Sequence, residues 1–363
     1  MNERLLAVTA ELTHRCPLAC PYCSNPLALA RKRDEMAGGD WARVIREAAS
    51  MGCLHIHFSG GEPLARGDLD DLVEAAAEAG LYSNLITSGI GLNDTRAGQL
   101  KAAGLDHVQV SFQDSVPRSN DRIAGLKGAF ARKIEAAEAA HAAGLALTIN
   151  AVVHRANVEH VPEMIDLAIA LGAERIEIAH VQYYGWAAEN HAALLPTRAQ
   201  LDRATQDVEA ARMAHDGALV IDYVVPDFHA ARPKACMGGW GRRQMVISPA
   251  GRALPCHAAE TIPDLGFDDV RTKPLAEIWE RGEAFRRFRG TAWMTEPCRS
   301  CERREVDWGG CRCQALALAG DAGATDPACE LAPTHDRVLA LVARATDHPS
   351  ADYRYRSFSS AVT

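Results

Sequence analysis

The chain has 363 residues, 48% hydrophobic and 24% charged, which is the balance of a globular protein long enough for one large or two ordinary domains. A net charge of −8 with no polybasic run excludes an electrostatic nucleic-acid binder, and no apolar run is long enough to span a membrane or act as a secretory signal. Eleven cysteines without an export signal predict a reducing cytoplasmic setting, where thiols bind metal rather than form disulfides.

In chain order, the first 215 residues repeat one unit, a short apolar strand followed by an alanine-rich helix. Strands are expected at 5–11, 54–58, 83–87, 107–112, 145–152 and 175–180, and helices at 40–51, 68–79, 94–103, 127–143, 158–171 and 197–215. Five of these helices stop at Gly52, Gly80, Gly104, Gly144 and Gly172, where a left-handed residue closes the last turn. Asp40, Asn93 and Asn157 stand where N-caps belong. Strand and helix alternating in this way imply parallel strands with right-handed crossovers, and six units are too few for a closed eight-fold barrel. The predicted fold is α/β, an open, partial (β/α)6 TIM-like barrel with its chemistry at the carboxyl ends of the strands.

The loop after the first strand carries Cys16, Cys20 and Cys23, spaced C-x3-C-x2-C. Three thiolates in one short loop can grip three corners of a 4Fe–4S cluster and leave the fourth iron open to a small molecule. A zinc knuckle completed by His14 is the other reading of the same loop. After the second strand comes Ser59-Gly60-Gly61-Glu62-Pro63, either a ligand-facing turn in which Glu62 accepts from an ammonium or an ordinary turn before proline. Polar residues at later strand ends, Thr87, Ser88, Ser111, Gln113, Asp114 and Asn150, can line the same rim.

From about residue 219 the alternation gives way to proline-punctuated sequence holding seven of the eleven cysteines, Cys236, Cys256, Cys298, Cys301, Cys311, Cys313 and Cys329. Loop-rich sequence with this thiol density relies on metal in place of an apolar core, in iron–sulfur clusters or a zinc ribbon. Cys53 reads as a buried core thiol and 351–363 as a mobile polar tail.

The C-x3-C-x2-C loop followed by Gly-Gly-Glu-Pro resembles the radical S-adenosylmethionine (SAM) superfamily. The resemblance implies that Cys16, Cys20 and Cys23 hold a 4Fe–4S cluster whose open iron chelates the methionine part of SAM. It also places Gly60, Gly61 and Glu62 at the methionine amino group, Ser111 and Asn150 at the carboxylate or ribose, and the Tyr22 ring against adenine. The implied chemistry is reductive cleavage of SAM and hydrogen abstraction from a substrate by a 5′-deoxyadenosyl radical.

The later cysteines run C-x14-G-x4-C through Gly251, then C-x2-C-x5-D-x3-C. This is similar to the SPASM domain of peptide-modifying radical SAM enzymes, except that Asp307 stands where the family has cysteine. By that likeness Cys298, Cys301, Asp307 and Cys329 hold one auxiliary cluster, of 4Fe–4S type. Cys236, Cys256, Cys311 and Cys313 hold another, for which 2Fe–2S suits Cys311 and Cys313 two residues apart. For Asp307 alone, a surface carboxylate is the plain alternative.

The strings 12–27, 110–114 and 182–187, together with Asp307, narrow the likeness to SPASM enzymes that join a Glu γ-carbon to a Tyr ring carbon in a precursor peptide. That likeness implies a small peptide carrier and an electron donor such as flavodoxin as partners, with no nucleic acid and no membrane. Thioether- or formylglycine-forming peptide modifiers are the alternative, and a zinc-dependent binding module is the non-enzymatic one. Tyr183, Tyr184 and Trp186 either meet a peptide at the barrel mouth or pack beneath the C-terminal part. No catalytic base is legible; His180 and Asp114 qualify on location only. The expected divisions are 1–218, 219–235, 236–335 and 336–363, respectively barrel, bridge, SPASM domain and terminal helix with tail.

Overall fold

The computed structural model describes residues 3–347 and 352–357. Its first half is the alternating unit. In order come β1 (Ala7–Thr13), α1 (Gly38–Ser50), β2 (His55–Gly60), α2 (Leu69–Glu78), β3 (Tyr82–Thr87) and α3 (Asp94–Ala102). Then follow β4 (His107–Phe112), α4 (Pro117–Ala124), α5 (Ala129–Ala142), β5 (Ala146–Val153), α6 (Val161–Ala170) and β6 (Arg175–His180). The short helices α7 (Gly185–Glu189) and α8 (His191–Leu194) lead into α9 (Arg198–Ala214) and β7 (Val220–Val224). The rest of the chain holds β8 (Gln244–Ile247), β9 (Ala253–Leu254), α10 (Leu275–Arg281), α11 (Glu283–Arg286), α12 (Arg312–Ala319) and α13 (His335–Asp347).

The expected strands all form, but the sheet is larger than six. Its order is β7-β6-β5-β4-β3-β2-β1-β8-β9, parallel throughout except for the β8–β9 hairpin. β7 adds a seventh parallel strand inside the stretch expected only to bridge. β8, from the cysteine-rich half, pairs in register with β1 from Ala7↔Gln244 to Ala10↔Ile247. One hydrophobic core accordingly runs from Val8 and Trp41 through to Leu275, Ile278 and Phe285.

Local rules explain most of these elements. In α1, Trp41, Val44, Ile45 and Ala48 recur at helical spacing, and all four are buried against the sheet. Asn93 caps α3 by accepting from the Arg96 N–H, and all five expected helix-stop glycines have positive φ. The other two caps differ. Ala37 is the N-cap of α1, leaving Asp40 in the first turn, where a carboxylate still favours the helix dipole. The Asn157 side chain instead accepts from the His154 N–H ahead of a 3-10 turn, and α6 starts after His160.

The strands sort their side chains with period two. Val8, Phe58, Leu85, Val110, Ile149 and Ile178 join the core. On the other face Ser59, Ser111, Asn150 and Glu177 line a cavity at the carboxyl ends of the strands. The Gly60-Gly61 turn sets the position of that cavity's mouth. Gly60 has φ +118°, and a Cβ there would run into the Thr13 carbonyl oxygen. One at Gly61 would meet the backbone of His14 and Arg15. Gly60 and Gly61 line that cavity, and their missing side chains also let β2 end against the cysteine loop. Gly60→Ala is therefore expected to lower stability on the order of 2–3 kcal/mol, and Gly67→Ala, with open space around it, by less than about 0.5 kcal/mol. Denaturant unfolding of the two variants measures the difference.

Candidate active site

The loop after β1 is fixed before any cofactor is considered. The Gly61 N–H donates to Thr13 O (2.5 Å) and the Glu62 N–H to Arg15 O (2.7 Å). Arg66 reaches back to the carbonyls of Leu12 (3.2 Å) and Met36 (3.1 Å), and His14 Nδ1 accepts from the Ala30 N–H (2.9 Å). On the far side the Ala19 N–H bonds Ala124 O at the end of α4 (2.8 Å). Cys16, Cys20 and Cys23 are thereby presented to a cavity of about 420 Å³.

That cavity brings together Cys16, Cys20, Cys23, Tyr22, Gly60, Gly61, Ser111 and Asn150. Glu62 stands behind the wall. It is buried, and its carboxylate accepts from Thr87 Oγ1 (2.7 Å), from the N–H groups of Leu64 and Ser88, and from Ser88 Oγ. It thus ties the β2 turn to the end of β3. The Asn150 side-chain oxygen, Oδ1, is buried and has no partner among the described residues, so the cavity offers an unmet acceptor.

The thiols are tuned by burial, which pushes Cys16 and Cys20 up to about 12 and raises Cys23. Buried thiolates need a cation beside them, and soft sulfur donors around a cavity of this size fit an iron–sulfur cluster. Among the described residues no three His, Cys, Asp or Glu side chains converge as a single bound ion requires. A cluster instead takes one thiolate per iron.

Cys53 is buried in the core, and the seven later cysteines form two groups. Cys236, Cys256 and Cys311 line a cavity of about 220 Å³, with Cys313 Sγ 4.0 Å from Cys256 Sγ. Hydrogen bonds from Cys236 and Cys313 hold the Cys311 thiol well below its ordinary value. Cys298, Cys301, Asp307 and Cys329 line a further small cavity. Asp307 is buried rather than a surface carboxylate, and it accepts from the Gly309 N–H (3.1 Å).

Gln182, Tyr184 and His257 line both the 420 Å³ and the 220 Å³ cavities and so form their common wall. Of the aromatics in 182–187 only Tyr184 takes this position. Tyr183 stacks on Phe228 (centroids 5.0 Å apart) and Trp186 is buried. His180 lines the large cavity. Its Nε2 lies 3.1 Å from the Tyr223 hydroxyl, its Nδ1 is buried without a described partner, and burial pushes it down to about 3. Asp114 is outside the lining, with Oδ1 2.8 Å from His160 Nδ1.

Several residues were missed in the sequence. Lys133 shares an apolar stripe with Ala129, Ala136, Ala137 and Ala140, a position whose spacing alone could have flagged it. Its Nζ donates to the carbonyls of Ser88 (2.9 Å) and Ser111 (2.6 Å), and burial lowers it to about 8. Arg356 lines the large cavity although the tail was expected to be mobile. Within the described 352–357, Arg356 bonds the cysteine loop; the remainder of 351–363 lies outside the described residues.

Comparison with known proteins follows from this geometry. The chain is 56% identical to the PqqA peptide cyclase of Methylocella silvestris, over 98% of this chain and 96% of that one. It is 55% identical to that of Gluconobacter oxydans, over 98% of both. The chain belongs to the PqqA peptide cyclase family. Residues 10–168 match the radical SAM superfamily and 236–302 the iron–sulfur cluster-binding SPASM domain, so this is a radical SAM enzyme. The fold also matches Streptococcus suis SuiB bound to its precursor peptide SuiA, with TM-score 0.75, 20% identity and coverage of 91% of this chain and 76% of SuiB. Among the described residues no helix is long and apolar enough to cross a membrane.

Within this family member, the cysteine-rich half is tied to β1 by an ion pair, Glu11 with His257 Nδ1 (2.5 Å). Burial alone would raise Glu11, but His14, 3.8 Å away, and the hydrogen bond and charge of His257 bring it to about 2. Burial likewise opposes the charge on His257, and the Glu11 hydrogen bond and charge raise its pKa regardless. Glu11 therefore contributes stability above its ordinary 4.5 that is lost as pH falls towards 2. His257 contributes below its ordinary 6.5, and that part is lost as pH rises through its raised value. The stability gap between wild type and Glu11→Gln is expected to be widest between those two ordinary values and to narrow on either side, as read by thermal unfolding across pH.

Proposed function

We propose that this enzyme joins a Glu γ-carbon to a Tyr ring carbon within the precursor peptide PqqA, an early step of pyrroloquinoline quinone biosynthesis. The peptide is presented by the small carrier PqqD, and a donor such as flavodoxin supplies electrons. The observation that carries the reading is the common wall. The cavity of Cys16, Cys20 and Cys23 and the cavity of Cys236, Cys256 and Cys311 share Gln182, Tyr184 and His257 in their linings. A reaction that starts with an electron at one site and ends with an electron to dispose of suits two adjacent redox sites. When bound, the cluster and SAM supply a 5′-deoxyadenosyl radical that takes one hydrogen from the glutamate γ-carbon.

The chain's residues then have separate tasks. Cys16, Cys20 and Cys23 hold the cluster, and Tyr22, Gly60, Gly61, Ser111 and Asn150 shape the SAM site. Glu62 acts on that site by bracing its turn. Cys236, Cys256, Cys311 and Cys313 hold a 2Fe–2S group, and Cys298, Cys301, Asp307 and Cys329 a 4Fe–4S group. Closing the carbon–carbon bond removes one hydrogen atom from glutamate, then one proton and one electron from the ring. Of the two groups considered for the ring proton, His180 lines the cavity, where burial opposes its protonated form, and Asp114 lies outside the lining. A cluster held by Cys236, Cys256, Cys311 and Cys313, behind Tyr184, would offer a site for that electron. Residues 1–218, 219–235, 236–335 and 336–363 are read as barrel, bridge, SPASM domain and terminal segment, with β8 reaching across to the barrel sheet.

Reduced, reconstituted protein given SAM, PqqA and PqqD is expected to release 5′-deoxyadenosine and leave the peptide lighter by two hydrogens. SAM cleavage with an unchanged peptide mass would overturn the crosslinking reading, and a thioether or formylglycine product would replace it. Asp307→Ala is expected to lose iron from the Cys298 site alone, while Asp307→Cys retains it; full iron in Asp307→Ala would remove Asp307 from the ligand set.

A further inference from the structure

We propose that the C-terminal strap, residues 353–356, is a working part of the radical site. In it Arg356 is a positioning residue that fixes the Cys16–Cys23 loop and keeps a positive charge on its cavity wall. This rests on the reading of that loop as the holder of a 4Fe–4S cluster.

One residue of the strap grips three carbonyls of the loop. The Arg356 backbone N–H donates to Ala19 O (3.1 Å), and its guanidinium donates to Leu18 O (3.3 Å) and to His14 O. The side chain is 6% exposed and lines the cavity beside Cys16, Cys20 and Cys23. The strap is itself anchored on both flanks. Asn190 Oδ1 accepts from the Arg354 N–H (2.7 Å), and its Nδ2 serves the carbonyls of Arg354, Pro21 and Trp186, each at 2.9 Å. The Tyr355 hydroxyl donates to Arg122 O (2.8 Å), and the Arg122 guanidinium lies over the Tyr353 ring at 4.9 Å. Asn190 thus clips strap, cysteine loop and α7 together.

The chemistry of guanidinium explains why arginine suits this place. It keeps its charge when buried, and its planar fork can serve two carbonyls at once, which an ammonium does only as a point charge. A fixed cation in a poorly screened wall stabilises each electron added beside it. Arg356 therefore makes the loop-bound group easier to reduce, besides holding its ligands in register.

The test compares Arg356→Gln, Arg356→Lys and Asn190→Ala with wild type, each anaerobically reconstituted. Iron per chain, the midpoint potential of the site cluster by EPR titration, and the rate of 5′-deoxyadenosine release are measured. Arg356→Gln is expected to keep its iron, to move the site potential to more negative values and to slow SAM cleavage by about 10- to 100-fold. Arg356→Lys is expected to restore the potential but only part of the rate, because charge returns without the fork. Asn190→Ala, which frees the strap while leaving Arg356 in the chain, is expected to shift the potential in the same direction. Should Arg356→Gln shed its iron, Asn190→Ala carries the test: the same negative shift supports the proposal, and an unmoved potential overturns it. An Arg356→Gln protein with full iron, wild-type potential and wild-type cleavage also overturns it. Wild-type protein without iron would instead defeat the cluster reading on which the proposal stands.

Discussion

Two peptide backbones lie directly against each other at Gly60 and Gly61, and the arrangement of the active site follows from that contact. With no side chain between them, the end of β2 bonds the start of the cysteine loop, from the Gly61 and Glu62 N–H groups to Thr13 O and Arg15 O. The loop then has one place to go, inward over the strand ends. Glu62, fully engaged with Thr87 and Ser88, carries the same constraint on to β3. Lys133 extends it to β4 by holding the Ser88 and Ser111 carbonyls. The chemistry-bearing side chains are thus mounted on neighbouring strand ends braced against one another.

The polar lining of the cavity and the apolar outer face of the sheet arise from one alternation. In β5, Leu147, Ile149, Ala151 and Val153 are buried in the core, while Asn150 and Val152 face the cavity. A strand that must satisfy both sides is constrained at every position, which is why these segments could be read so closely from the sequence. β4 and β6 fall where the sequence reading put them, and β2, β3 and β5 lie within two residues, because each is preceded by a helix that ends at a left-handed glycine.

Elsewhere the sequence was less informative, for identifiable reasons. β7 and β8 are short, and nothing in Val220–Val224 or Gln244–Ile247 reveals a partner strand far away in the chain. Asp40 looked like a cap because carboxylates favour the first turn as well as the cap itself. The likeness to the SPASM pattern grouped Cys298, Cys301, Asp307 and Cys329, which line one cavity, and placed Cys236, Cys256 and Cys311, which line another, together with Cys313, but spacing cannot show that two cavities have a wall in common. Arg356 was invisible for a different cause. A short polar segment near the chain end has no periodicity, and it is held by bonds to residues far away in the chain, among them His14, Leu18, Ala19, Arg122 and Asn190.

The pairing of β8 with β1 has a bearing on how such enzymes can be recombined. β1 is hydrogen-bonded on one edge to β2 and on the other to β8, so the strand leading into the radical loop is held by both halves of the molecule. A hybrid joining this barrel to a foreign cluster-binding module would leave that edge of β1 bare unless the graft supplied a parallel strand of matching register. The two halves are therefore exchangeable only as a matched set.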